Sequence, residues 1–150
     1  MPGIVQVTQG GPKTCTPADN EVILGGQLVE GRAGGRIGVA AAASVKVLGV
    51  ALNDAVAPED FPAADTTDAL GRTVVSAVPI PTTVAVAYGG TEAAVVYSAN
   101  ASFGDKLVAT ANGTVAPAGT TPDARTIVAI CAEPAGVVVA TNPRGLARIL

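Results

Sequence analysis

A chain of 150 residues with a net charge of −3, charged residues at 14% and apolar residues at 49% is long enough for one domain and too apolar to stay disordered. Its nine Lys and Arg are scattered, without the dense basic run that a phosphate backbone demands, so nucleic acid is not expected as a partner. The longest small-residue run, residues 39–43, is too short to cross a membrane, and the absence of histidine removes Ser-His-Asp and Cys-His catalysis and most zinc sites.

The apolar residues are small. Ala, Val and Gly dominate, Trp is absent, and only Phe61, Phe103, Tyr88 and Tyr97 are aromatic. Such a core buries less area per residue than one of Leu and Phe, which is a motive for burying more between subunits. Met1-Pro2-Gly3-Ile4 shows neither region of a secretory signal, so Cys15 and Cys131 are expected as two free thiols.

In chain order, residues 1–20 read as an extended N-terminal arm and 21–150 as a compact β domain. The arm carries apolar Ile4, Val5 and Val7, then a Gly/Pro hinge with Pro12, Thr14 and Pro17. These six are the candidate contacts to a shell or a neighbouring subunit, made by adding a strand to an exposed sheet edge. The competing reading is an ordinary edge strand within its own domain.

Short β-branched runs then alternate with Gly, Pro, Asn and Asp about every ten residues, the pattern of an all-β sandwich or small barrel with little helix. The predicted strands are 4–8, 21–24, 27–30, 36–40, 45–52, 72–78, 83–88, 93–98, 106–109, 114–116, 126–132, 136–140 and 146–150. Asn112-Gly113 reads as a tight hairpin turn, as does Gly34-Gly35, because these residues tolerate positive φ. Residues 53–71, with two prolines and five acids, read as a solvated loop with a helical turn near 54–59.

An internal repeat runs through this pattern. Gly26-Gln27-Leu28-Val29 matches Asp105-Lys106-Leu107-Val108, and Val47-Leu48-Gly49-Val50-Ala51 matches Thr126-Ile127-Val128-Ala129-Ile130, both at one offset of 79 residues. Asp54 and Glu133 follow at the same offset, and Gly35-Arg36-Ile37 matches Gly113-Thr114-Val115 with a one-residue slip. The expectation is a duplicated module, hairpin then loop then buried strand, over 25–57 and 104–136.

Nothing in the sequence carries catalysis or calls for a cofactor. Cys15 has no activating base nearby in sequence, and the acids around Asp65 and Asp68 lack the spacing and glycine bend of a cation loop. The glycine clusters fit neither phosphate-binding pattern. Residues 104–108 followed by Gly113-Thr114-Val115 resemble a biotinyl or lipoyl carrier hairpin, but Lys106 opens a strand where those carriers place a lysine at the tip.

The run Gly26-Gln27-Leu28-Val29, a glycine turn, then Val47-Leu48-Gly49-Val50-Ala51-Leu52-Asn53-Asp54-Ala55 resembles the capsid decoration, or head cement, proteins of tailed bacteriophages. The resemblance covers most of 25–57 and, more loosely, 104–136; the duplicated hairpin and the proline-bearing stretch 53–71 depart from it. It implies a non-enzymatic subunit, made in the bacterial cytoplasm, that binds the major capsid protein on the outside of the virion shell. There it would stand as a homotrimer and stabilise the shell. The alternative is another β-structured assembly subunit of a tail or spike.

Overall fold

The computed structural model describes residues 10–60, 65–67, 69–75 and 81–150. Among them the β-branched runs form short strands: β1 (Lys13–Cys15), β2 (Val22–Ile23), β3 (Leu28–Gly31), β4 (Ile37–Val39), β5 (Val47–Ala51), β6 (Ala55–Val56), β7 (Asp65–Thr67), β8 (Thr73–Val75), β9 (Val84–Ala87), β10 (Glu92–Val96), β11 (Lys106–Ala109), β12 (Val115–Pro117), β13 (Ile127–Cys131) and β14 (Arg144–Ile149). The fold is all-β, with helix confined to single 3-10 turns. Two five-stranded sheets, in the orders β1-β9-β5-β3-β4 and β10-β14-β13-β11-β12, are accompanied by the pairs β2–β6 and β7–β8. The sheets stack as in a sandwich and do not close into a barrel.

Stacking follows from the two-residue period of a strand. On β3, Val29 faces one way and joins Ile23, Ala51, Ala55 and Val84 beneath the β2–β6 pair. Its neighbour Leu28 faces the other way, where with Ala40 and Val50 it packs on Val95, Tyr97, Leu107 and Ala129 of the second sheet. The first sheet is therefore covered on both faces. That is why Val47–Ala51 reads as an unbroken apolar run instead of an alternating one.

The two sheets are built alike. Hairpin β3–β4 turns through Gly34 (φ 71°, ψ 19°) and hairpin β11–β12 through Asn112 (φ 60°, ψ 31°). The flanking bonds also match: Arg32 N–H donates to Arg36 O at 2.8 Å, and Thr110 N–H to Thr114 O at 2.8 Å. The first strand of each hairpin also meets a bulge in its pairing with the strand on its other side, β3 with β5 between Val29 and Glu30 and β11 with β13 between Leu107 and Val108. Isolated parallel bridges, Pro17–Ile37 and Tyr97–Val115, fall at the same point in each sheet. The side chains of Gln27 and Asp105 accept from the Leu24 and Ser102 N–H groups, each at 2.8 Å. Val29 thus falls on Leu107, Ile37 on Val115, Ala51 on Cys131, Val86 on Ala147 and Cys15 on Val95.

Several sequence expectations need correction. Residues 13–20 are not a free arm: β1 pairs with β9 at the edge of the first sheet, and Pro17 is fully buried. Packing against the sheet outweighs the loop-like composition. The predicted strand 136–140 is a turn with one bridge, Val137 to Ala101, because Gly136 takes a positive φ and bonds back to Glu133. The expected loop 53–71 contains buried Ala55 and Val56 and part of the β7–β8 pair. The predicted strand 4–8 lies outside the described residues, as do 76–78 of 72–78.

Gly113 sets how closely the second sheet's hairpin approaches the first. It has φ 66°, and a Cβ there would lie 2.6 Å from the Leu28 carbonyl oxygen. Gly113→Ala is expected to lower stability by about 2–3 kcal/mol, from strain and overpacking together. Gly119→Ala, with no neighbouring atom within 4 Å, is expected to leave the urea midpoint within error.

Candidate functional site

An apolar concavity lies on the first sheet, on the face that also carries the β2–β6 pair. It holds about 550 Å³ and is lined by Lys13, Thr14, Cys15 and Thr16 from the β1 segment, Ile37, Leu48, Val86 and Tyr88. Strand pairing places these side chains together: Lys13 lies opposite Val86 and Cys15 opposite Val84. Leu48 reaches the groove because of the bulge. β3 pairs Val29 with Gly49 and then Glu30 with Val47, so Leu48 is left without a partner across the ladder and is 48% exposed.

Beyond Leu48 the apolar surface continues to the seam between the sheets. There Val45 and Leu150, both more than half exposed, flank a small cleft of about 100 Å³ with Ile127 and Val128. Phe103 and Val138, also exposed, line a separate cleft of about 420 Å³ at the turns of the second sheet.

A buried acid fixes the loop between β4 and β5 that carries Val45. Glu30, 5% exposed, accepts from the Ala41 N–H at 3.1 Å and pairs with Arg32. Arg32 bridges on to Glu21 at 3.3 Å, and Glu21 accepts from the Val39 N–H at 3.2 Å. A Cβ at Gly38 would lie 2.5 Å from Arg32 Nε, so glycine leaves the room this cluster occupies. Burial pushes the Glu30 carboxyl up, but hydrogen bonds from the Ser44 hydroxyl and the Ala41 N–H, with the charges of Arg32 and Lys46, hold it below its ordinary 4.5.

A second ion pair anchors the start of the first sheet. Arg36 meets Glu59 at 2.6 Å and donates to Pro17 O at 3.0 Å, and the Arg36 guanidinium holds the Glu59 carboxyl low. Cys15 is a half-buried free thiol on the groove wall, whereas Cys131 is a buried free thiol. Burial raises the Tyr97 phenol, whose hydroxyl donates to Leu146 O at 2.9 Å. Among the described residues no three metal-ligating side chains come together.

Of the six candidate contact residues, Thr14 lines the groove and Pro12 is exposed just before β1, whereas Pro17 is buried. Ile4, Val5 and Val7 lie outside the described residues. The sequence reading missed Leu48, Tyr88 and Phe103. Leu48 stands within a run that reads as wholly buried, and a bulge is invisible in such a run. Phe103 carried a signal that went unused, a large aromatic placed beside Gly104 in a turn.

No family model and no curated protein matches the sequence. Among solved structures, the chain is similar to the head fiber gp8.5 N base of bacteriophage phi29, with a TM-score of 0.56 and 17% identity. The match covers 93% of this chain and 94% of that one. At this identity the likeness is one of fold.

Because the folded Glu30 carboxyl lies below its unfolded value, its contribution is present above about pH 4.5 and is lost as pH falls through the lowered value. Glu30→Gln is expected to cost about 1–3 kcal/mol at neutral pH. It is also expected to flatten the acid limb of stability, as read from urea midpoints between neutral pH and pH 3.

Proposed function

We propose that this chain is a structural protein of a bacteriophage virion, attached to the outside of the icosahedral head through the major capsid protein. The observation that carries the reading is the fold it shares, end to end, with the base of a phage head fiber. The residues 25–57 that resemble head decoration proteins support it independently. In this reading the subunit acts mechanically, without catalysis or cofactor. It stands on the shell as a trimer and clamps neighbouring shell subunits.

The proportions of the molecule suit that work. Charged residues are few, and exposed apolar side chains stand in separate places, around Leu48, Leu24 and Leu52, and Phe103. A subunit that touches both a shell and its own copies needs more than one such surface. Attachment is assigned to residues 1–9 together with Pro12, upstream of the edge strand.

Particles sedimented from producing cells are expected to contain the chain in fixed ratio to the major shell protein, released by mild denaturant without breaking the shell. Recovery of the chain only as a free species, or with added mass on a lysine, would overturn this reading in favour of a carrier. Deleting residues 1–9, which spares β1, is expected to leave the thermal transition unchanged and abolish co-sedimentation with stripped shells.

A further inference from the structure

The joint between the two sheets is not self-symmetric. One core cluster joins the outer face of the first sheet, with Leu28, Val47 and Val50, to inner-face residues of the second, among them Val95, Leu107, Val115, Ala147 and Ile149. The close approaches are one-sided too. A Cβ at Gly113 would press on Leu28 O, but one at its equivalent Gly35 would meet no described atom within 4 Å; a Cβ at Gly26 would lie 3.4 Å from Ala94 O, but one at its equivalent Gly104 would meet none. Two similar units packed front to back leave one inner face and one outer face unused.

The part of the first sheet's inner face that the β2–β6 pair leaves open among the described residues is the groove. Strand pairing maps Val95, Val115 and Ala147, which share a core cluster with the first sheet's outer face, onto Cys15, Ile37 and Val86, and continuing the same register maps Val128 and Ile149 onto Leu48 and Tyr88. All five mapped residues line the 550 Å³ concavity. The unused outer face is that of the second sheet, where Lys106, Ile127 and Ile130 stand at the positions of Leu28, Val47 and Val50. Ile127 and Ile130 remain half-exposed there.

We infer that the chain is a tandem of two equivalent β units, and that the groove of one molecule receives the outer face of the second sheet of another copy. This contact repeats between chains the joint that already exists within one. Lys106 replaces a fully buried leucine, so the intermolecular joint is more polar and weaker than the internal one, and association is reversible and concentration-dependent. A front-to-back contact closes into a ring or runs on as a filament; a closed ring of three chains would be the trimer proposed above. The inference rests on the geometry of the sheets and holds whatever the chain attaches to.

Complementation tests it. Leu48→Asp spoils the groove and leaves the outer face intact; Ile130→Asp does the reverse, and both side chains are at least partly exposed, so folding is spared. In sedimentation velocity, wild type is expected to associate beyond a dimer as concentration rises, while each variant alone stays monomeric. An equal mixture of the two variants has one good groove facing one good outer face, and is expected to form a dimer and stop. A monomeric wild type, variants that associate like wild type, or a mixture that stays monomeric would each overturn the inference. Wild-type Cys15 gives a measurement independent of the variants. Its alkylation is expected to slow several-fold on association, with buried Cys131 unreactive throughout, and an unchanged rate would count equally against the contact. Loss of self-association with shell binding retained would separate this inference from the capsid reading.

Discussion

Everything else in the molecule depends on the face-to-face packing of Leu28, Val47 and Val50 on the second sheet. A fully buried Val or Leu contributes about 1.5–3 kcal/mol, and a chain with four aromatic residues has few larger contributions to draw on. Small side chains are effective only when the sheets come close. Gly113 permits that approach where the second hairpin crosses Leu28, and Tyr97, the largest fully buried side chain, fills the space beside it with its hydroxyl satisfied by Leu146 O.

Stacking of this kind shapes the surface as well as the core. Because the first sheet is buried on both faces along much of its length, the part left uncovered, the groove around Cys15, Leu48 and Tyr88, is a local defect in an otherwise filled layer. The Glu30–Arg32–Glu21 cluster holds the neighbouring loop in place. A buried acid is a costly way to order a loop, and here three hydrogen-bonding partners and two cations offset the cost. The result is a loop tied down by hydrogen bonds and ion pairs beside an apolar surface.

Part of this was legible in the residues. Most of the predicted strands in the second half, such as 106–109 and 126–132, lie within a residue or two of observed ones, since β-branched runs between turn residues have few other options. Where the reading failed, tertiary packing had overridden local composition. Residues 13–17 look like loop but complete a sheet; 136–140 look like strand but have only one bridge. The offset of 79 is instructive. It matches Leu28 to Leu107 by identity, whereas the hydrogen bonds match Val29 to Leu107 and Ala51 to Cys131, because the loop after β12 is longer than the loop after β4.

The sequence by itself determined the class of fold and the kind of core, because a two-residue period, turn chemistry and residue size are local properties. It also carried the similarity of the two halves. Only the tertiary structure decided which face of each sheet is covered and which is left open. That choice depends on how two layers far apart in sequence come to stack, and on a bulge that turns Leu48 outward, neither of which any single strand encodes.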